Sequence, residues 1–237
     1  MSPCAAAPHT GIGILAQAIV ELENHPVAPK LSRENPLFAG FQCAAETGNM
    51  PKDWTSLIKR ATKSDRALKK LTQLIAKKDA LYRATVSTTR AVDLVSGGVK
   101  VSSSFAPCLD EALIGFRSQV NALPELSMAV ANHRINADSS VAELQEQLIS
   151  VITPLAKKLD LSFEAFNQSI LSTDSHKGLI RMSQAFDSAL EPAPISPHDI
   201  SSPAWNLLSG SVKATYSSRK NPGDDTDIKM MPGLAIG

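Results

Sequence analysis

The sequence predicts an α+β fold: a two-layer sandwich in which a small antiparallel sheet carries two helices on one face. Three observations predict it. Apolar residues recur at helical spacing over 10–25 and 140–158, and alternating or β-branched runs occupy 84–94, 126–135 and 161–166. The resulting order is helix, strand, strand, helix, strand, which suits helices gathered on one face of a sheet. A basic helical block, 36–80, is inserted after the first helix, and a boundary near 190 separates a shorter C-terminal segment.

Thr10 is placed to cap a helix whose broad face is Ile12, Leu15, Ala16, Ile19, Val20 and Leu22, and His25-Pro26 ends it. From Pro36 to Ala80 the pattern stays helical. Lys59, Arg60, Lys63, Arg66, Lys69, Lys70, Lys77 and Lys78 surround Leu68, Leu71, Leu74 and Ile75. Charge runs of this kind ordinarily mark a solvated face, with an anionic docking surface as the sharper alternative, and the interleaved aromatics that stack on bases are absent. Ala84 to Leu94 alternates and is β-branched, so it reads as a strand ending at Gly97-Gly98, and Leu126 to Ile135 reads as a second. Ser140 and Glu143 have the spacing of a capping box ahead of Val141, Leu144, Leu148, Ile149, Val151, Ile152 and Leu155, a helix ending near Lys158. A third strand, Leu161 to Phe166, follows. Glu191 to Pro203, with four prolines, reads as a connector, and Ala204 to Tyr216 as a short helix.

Composition bounds the function. A chain of 237 residues with 43% hydrophobic content can bury a core, and a net charge of +1 gives no global attraction to nucleic acid or membrane. Cys4, Cys43 and Cys108 are too few and too scattered for a disulfide framework, and no CxxC pair suggests a structural zinc. No run of about 18 apolar residues is present. Met1 to Ala7 lacks the basic flank and apolar stretch of a signal peptide, so a chain made as written is expected in the cytoplasm.

Two stretches carry the most chemistry: Val120-Asn-Ala-Leu-Pro-Glu125 and Val130-Ala-Asn-His-Arg-Ile135, which set Asn121 and Arg134 thirteen residues apart around a strand. With Pro8-His-Thr-Gly-Ile-Gly13, Ser96-Gly-Gly98 and Leu208-Ser-Gly-Ser-Val-Lys-Ala-Thr-Tyr216, they make the chain resemble the fungal carboxypeptidase S branch of the zinc-dependent aminoacylase and carboxypeptidase family. The resemblance covers nearly the whole chain but only the second half of a family enzyme. It implies that 1–189 is the ferredoxin-like lid, or dimerisation, domain, with its first strand missing, a helical insertion at 36–80 and an anomalous insert at 101–119. By the same resemblance 190–237 is a fragment of the α/β catalytic domain. The implied location is the vacuole.

The resemblance also implies a mechanism. Family members hold two zinc ions with a His-x-Asp pair, a bridging Asp, a Glu-Glu pair that includes the general base, another acid and a distant His. Such ligands fix the metal and acidify its bound water. This chain has no His-x-Asp and no Glu-Glu, and its adjacent His198-Asp199 does not match the spacing. No bound zinc and no catalytic residue are therefore expected in this chain, although the complete enzyme would be a zinc carboxypeptidase. What remains is substrate binding. Asn121 and Arg134 match the lid Asn and Arg that reach the peptide's terminal carboxylate, where a guanidinium fork pairs with a planar carboxylate and an amide adds a donor. On residue type alone, a late-strand Arg is usually a surface residue and an Asn near a Pro a turn-former; the shared flanking residues reverse that order. The lid His that polarises the scissile carbonyl falls at Ser2, His9 reads as structural, and His133 should face the opposite side of the strand from Arg134.

Val101 to Gln119 interrupts the family pattern, adding 19 residues where short hairpin loops are usual. Removing them joins Lys100 to Val120. The expectation is a translated retained intron, with a lineage-specific loop as the rival. Two functional classes follow: a truncated carboxypeptidase S-like protein, inactive alone, whose complete form acts on peptide C-termini, or a noncatalytic homodimerisation module derived from the lid. Neither nucleic acid nor a membrane segment enters either reading.

Overall fold

A computed structural model describes residues 9–78, 80–97, 126–174, 177–185, 189–220 and 228–233. Val101 to Gln119, Asn121 and Ser2 lie outside these residues. The chain forms two compact units, and it passes between them several times. The first comprises Met1–Pro26, Arg90–Arg134 and Ala142–Ala189; the second comprises Val27–Thr89, Ile135–Val141 and Leu190–Gly237. The α+β class holds, with helices and short strands both present.

In the first unit, helix α1 (Gly11–Asn24) starts where Thr10 Oγ1 accepts from the Gly13 N–H at 3.1 Å. Helices α2 to α5 belong to the second unit and are described below. Strands β1 (Thr89–Gly97) and β2 (Ser127–Arg134) pair as a two-stranded sheet. Helix α6 (Val141–Leu159) buries Leu144, Leu148, Ile152, Leu155 and Ala156, one face at i, i+4 and i+3 spacing, and keeps Pro154 on its exposed side. It ends with Asp160 at φ 55°. The Asp160 N–H donates to Lys157 O at 3.2 Å and the Leu161 N–H to Ala156 O at 2.9 Å, the paired bonds of a left-handed helix cap made without glycine.

Strand β3 (Ser162–Ala165) does not join β1 and β2 among the described residues. It lies at the centre of a second sheet in the order β4-β3-β5, antiparallel to β4 (Gln168–Leu171) and parallel to β5 (Leu179–Met182). This corrects the expectation of one antiparallel sheet holding all the strands. The missed hairpin turns on Phe166 and Asn167, at φ 50° and 66°, between the paired residues Ala165 and Gln168. Two successive positive φ angles suit a two-residue hairpin loop, but the usual signal is Asn-Gly or Asp-Gly, and a Phe in the first position hides it. Ile152, Ala156, Phe163 and Ala165 form the core of this unit, with Ala18 and Leu22 of α1 and Ile180 and Met182 of β5 packed on them.

The second unit is built around four helices: α2 (Pro36–Glu46), α3 (Lys52–Ala61), α4 (Asp65–Lys78) and α5 (Ala80–Val86). Asn35 caps α2 by accepting from the Leu37 N–H at 2.9 Å, with Pro36 at the first helical position. Phe38, Ile58, Leu71, Ile75 and Val86 are almost wholly buried in one core. The expected strand start at Ala84 is wrong, because Ala84-Thr-Val86 completes α5. The fully buried Val86 gains its core contacts at that helix's end, and the Thr85 hydroxyl donates to Tyr82 O at 2.7 Å, so tertiary burial overrides the β preference of Thr and Val. Helix α7 (Pro203–Ser217), capped by Ser202, agrees with the helix expected at 204–216 and leaves no residue buried.

Candidate functional site

Strand β2 alternates along its last residues, with His133 half-buried and Arg134 exposed. A strand's side chains point to opposite faces in turn, so the two neighbours serve different surroundings. The Arg134 guanidinium has no hydrogen-bond or ion-pair partner among the described residues. Asn121, its expected partner, lies outside the described residues, so the structure does not bring the two together or separate them.

His133 sits in a network that sequence reasoning missed. Arg90, the second residue of β1, donates from Nε to His133 Nε2 at 2.9 Å, from Nη2 to Gln147 Oε1 at 3.3 Å, and from Nη1 to Leu22 O. Gln147 in turn donates from Nε2 to His25 O at 3.0 Å. One guanidinium therefore ties β1 to β2, α6 and the last turn of α1, where a cation suits the helix's negative end. Burial lowers the Arg90 pKa from its ordinary value, partly offset by the Glu23 carboxylate. Burial also lowers that of His133, the Arg90 charge adds to the effect, and a hydrogen bond to the Ala131 backbone opposes it. An imidazole that accepts at Nε2 is neutral with its proton on Nδ1. Its only lone pair is taken up by Arg90, so His133 is a structural hydrogen-bond acceptor here and neither a base nor a metal ligand. The signal available in the sequence was Arg90 itself, a cation early in a β-branched run whose other charged residue is Asp93.

The remaining titratable residues do not gather into a metal centre. Among the described residues no three His, Cys, Asp or Glu side chains converge in a way that could hold an ion. His198 Nδ1 lies 3.2 Å from Ser196 O. Asp199 accepts from the Ser201 N–H at 2.8 Å and from the Ser201 hydroxyl, and these bonds hold its exposed carboxyl below the usual range. The pair is a local turn, and the described residues do not fit the two-zinc centre that the resemblance implies. His9 is exposed just before the Thr10 cap, and Cys43 is a half-buried free thiol. No described helix is long and apolar enough to cross a membrane.

Comparison with known proteins gives a consistent result. The chain is 32% identical over 211 residues to carboxypeptidase S of Saccharomyces cerevisiae, an alignment covering 89% of this chain and 32% of the relative. It is 32% identical over 231 residues to a second protein of that yeast named as a carboxypeptidase, covering 97% of this chain and 36% of the other. An uncharacterized carboxypeptidase of Schizosaccharomyces pombe is 30% identical over 223 residues, covering 93% and 32%. The chain thus spans about a third of the length of the curated relatives it matches. No family model matches it, and no solved structure does.

Proposed function

We propose that this chain belongs to the fungal carboxypeptidase S-like family across the segment it spans and that it is the substrate-orienting part of a carboxypeptidase, a reading supported by its 30–32% identity to the yeast relatives. In this reading the complete enzyme hydrolyses the C-terminal peptide bond of a peptide, and Arg134 with Asn121 holds the terminal carboxylate. The observation that carries it is the exposed Arg134 at the end of β2, free of partners among the described residues while its neighbour His133 is fully engaged. A guanidinium with no internal carboxylate can pair bidentately with a planar one from a ligand.

Hydrolysis needs more than this. Orienting a substrate supplies binding without an activated nucleophile, and the chain carries neither the His-x-Asp nor the Glu-Glu pattern of a zinc centre. Zinc belongs to the complete enzyme in this proposal. The chain alone is therefore inactive towards peptides, and the vacuolar setting belongs to the complete enzyme. Assaying the purified chain with a dipeptide and added zinc tests the claim: background hydrolysis is expected, and turnover on an enzymatic scale overturns it.

A second reading makes the chain a noncatalytic pairing module. It is supported by Leu94, Val95 and Met128 on the β1–β2 sheet, each more than half exposed, since exposed apolar residues on a short sheet invite association. Light scattering on the eluting chain distinguishes the readings, because a strictly monomeric species removes this one.

A further inference from the structure

Charge in this chain is segregated. Between 52 and 78 there are nine Lys or Arg residues against two Asp, a net +7 in a protein whose total is +1. Part of this excess lines one groove of about 630 Å³ beside α3 and α4, where Lys59, Arg60, Lys63, Arg66 and Lys70 gather with Ser64. All five cations are exposed, none has an ion-pair partner among the described residues, and no carboxylate lines the groove. The one acid of the α3–α4 turn, Asp65, is held instead by Arg33 at 2.6 Å. Five like charges left unneutralised raise the energy of the unliganded face, and Arg66 stands in the first turn of α4, the end where a helix disfavours a cation.

We infer that this groove binds a compact soluble polyphosphate. A ligand with several phosphate groups offsets the five cations together, through charge-assisted hydrogen bonds, where a single carboxylate offsets one. The groove's surroundings select against larger anions. Trp54 is the nearest aromatic on α3, and it packs edge-on against Phe41 at 6.4 Å, against the unit's core, so no ring is offered for bases to stack on. Leu57, Ile58, Leu68, Leu71 and Ile75, the apolar side of both helices, are buried in that core. No apolar face is left to enter a bilayer. The site is independent of the peptidase reading and stands on different residues.

The test is calorimetric titration of the full chain with inorganic tripolyphosphate, at about 50 mM and roughly 200 mM salt. Saturable binding that weakens with salt is expected. A Lys63→Glu, Arg66→Glu, Lys70→Glu variant, altered only at exposed positions, should raise Kd about tenfold or more, since it turns three attractions into repulsions. A Lys157→Glu, Lys158→Glu, Lys213→Glu variant makes the same change in net charge elsewhere and should keep most of the affinity; matching circular dichroism melts establish that both variants fold. Lack of saturable binding, or equal weakening in the two variants, overturns the site. Binding to vesicles containing a phosphorylated phosphatidylinositol that tripolyphosphate does not displace also overturns it, in favour of a membrane surface.

Discussion

Arg90 and His133, on paired strands, share a hydrogen bond that only a neutral imidazole can accept, with Nε of the guanidinium 2.9 Å from Nε2. Protonating His133 would set two cations against each other at that distance, in a half-buried site. Burial first, and the Arg90 charge second, hold the folded pKa of His133 below the ordinary value of 6.5. In the interval between the folded and unfolded values the unfolded chain binds the extra proton, so stability rises with pH there. It is full above about 6.5 and declines as pH falls towards the lowered folded value. Urea unfolding of the wild type between pH 5 and pH 7.5 should show this slope. A His133→Gln variant, whose side-chain oxygen can still accept from Arg90, should show a flatter one, and an unchanged slope would mean that another group sets the acid response.

Asp138 gathers three donors in the second unit: the Ser32 N–H at 2.9 Å, the Ser32 hydroxyl at 2.7 Å and Asn35 Nδ2 at 2.7 Å. Asn35 is 1% exposed, so removing the carboxylate strands a buried amide as well as losing three bonds. Asp138→Ala should cost about 2–4 kcal/mol, which a shifted urea midpoint at unchanged slope would register. A cost below roughly 0.5 kcal/mol would mean that water replaces the carboxylate without penalty.

Arg134→Ala should separate binding from stability. The side chain is exposed and unpaired among the described residues, so unfolding should change by no more than about 0.5 kcal/mol. Chemical-shift titration with a short peptide should lose its response in the variant, and a peptide with an amidated C-terminus should give little response with either protein. Equal responses to the acid and the amide would remove the carboxylate from the account.

Phe163 is fully buried on the central strand of the β4-β3-β5 sheet, in one cluster with Ile152 and Ala156 of α6 and with Ile180 and Met182 of β5 packed on it. Phe163→Ala deletes most of a ring from a close-packed site and should cost about 3–5 kcal/mol. Thermal unfolding followed by circular dichroism checks it, and a cost of roughly 1 kcal/mol or less would show that the surrounding chains collapse onto the space.

Helices were the legible part of this fold. Thr10 reads as a cap because its hydroxyl has one obvious use there, and α6 reads as a helix because Leu144, Leu148, Ile152 and Leu155 repeat along one face. Strands β4 and β5 were not legible, since four residues are too few for alternation to stand out. The division of strands between two sheets depends on pairings between distant segments, which no local pattern encodes. At the candidate site, alternation along β2 separates His133 from Arg134 in advance, whereas the grip of Arg90 on His133 and Gln147 spans 43 and 57 residues of sequence and emerges only from the fold.

The two cores also differ in the order in which a ribosome would deliver them. Every described buried residue of the helical core falls between Leu31 and Val86, so that core can close as soon as one short continuous stretch has emerged. The sheet core must wait for Ala18 and Leu22 near the start to meet Ile180 and Met182 much later. Loop closure over that distance carries a larger entropic cost and slows the search. During synthesis the helical core is therefore the early-maturing part, and the apolar side of α1 is the surface left waiting longest for its partners.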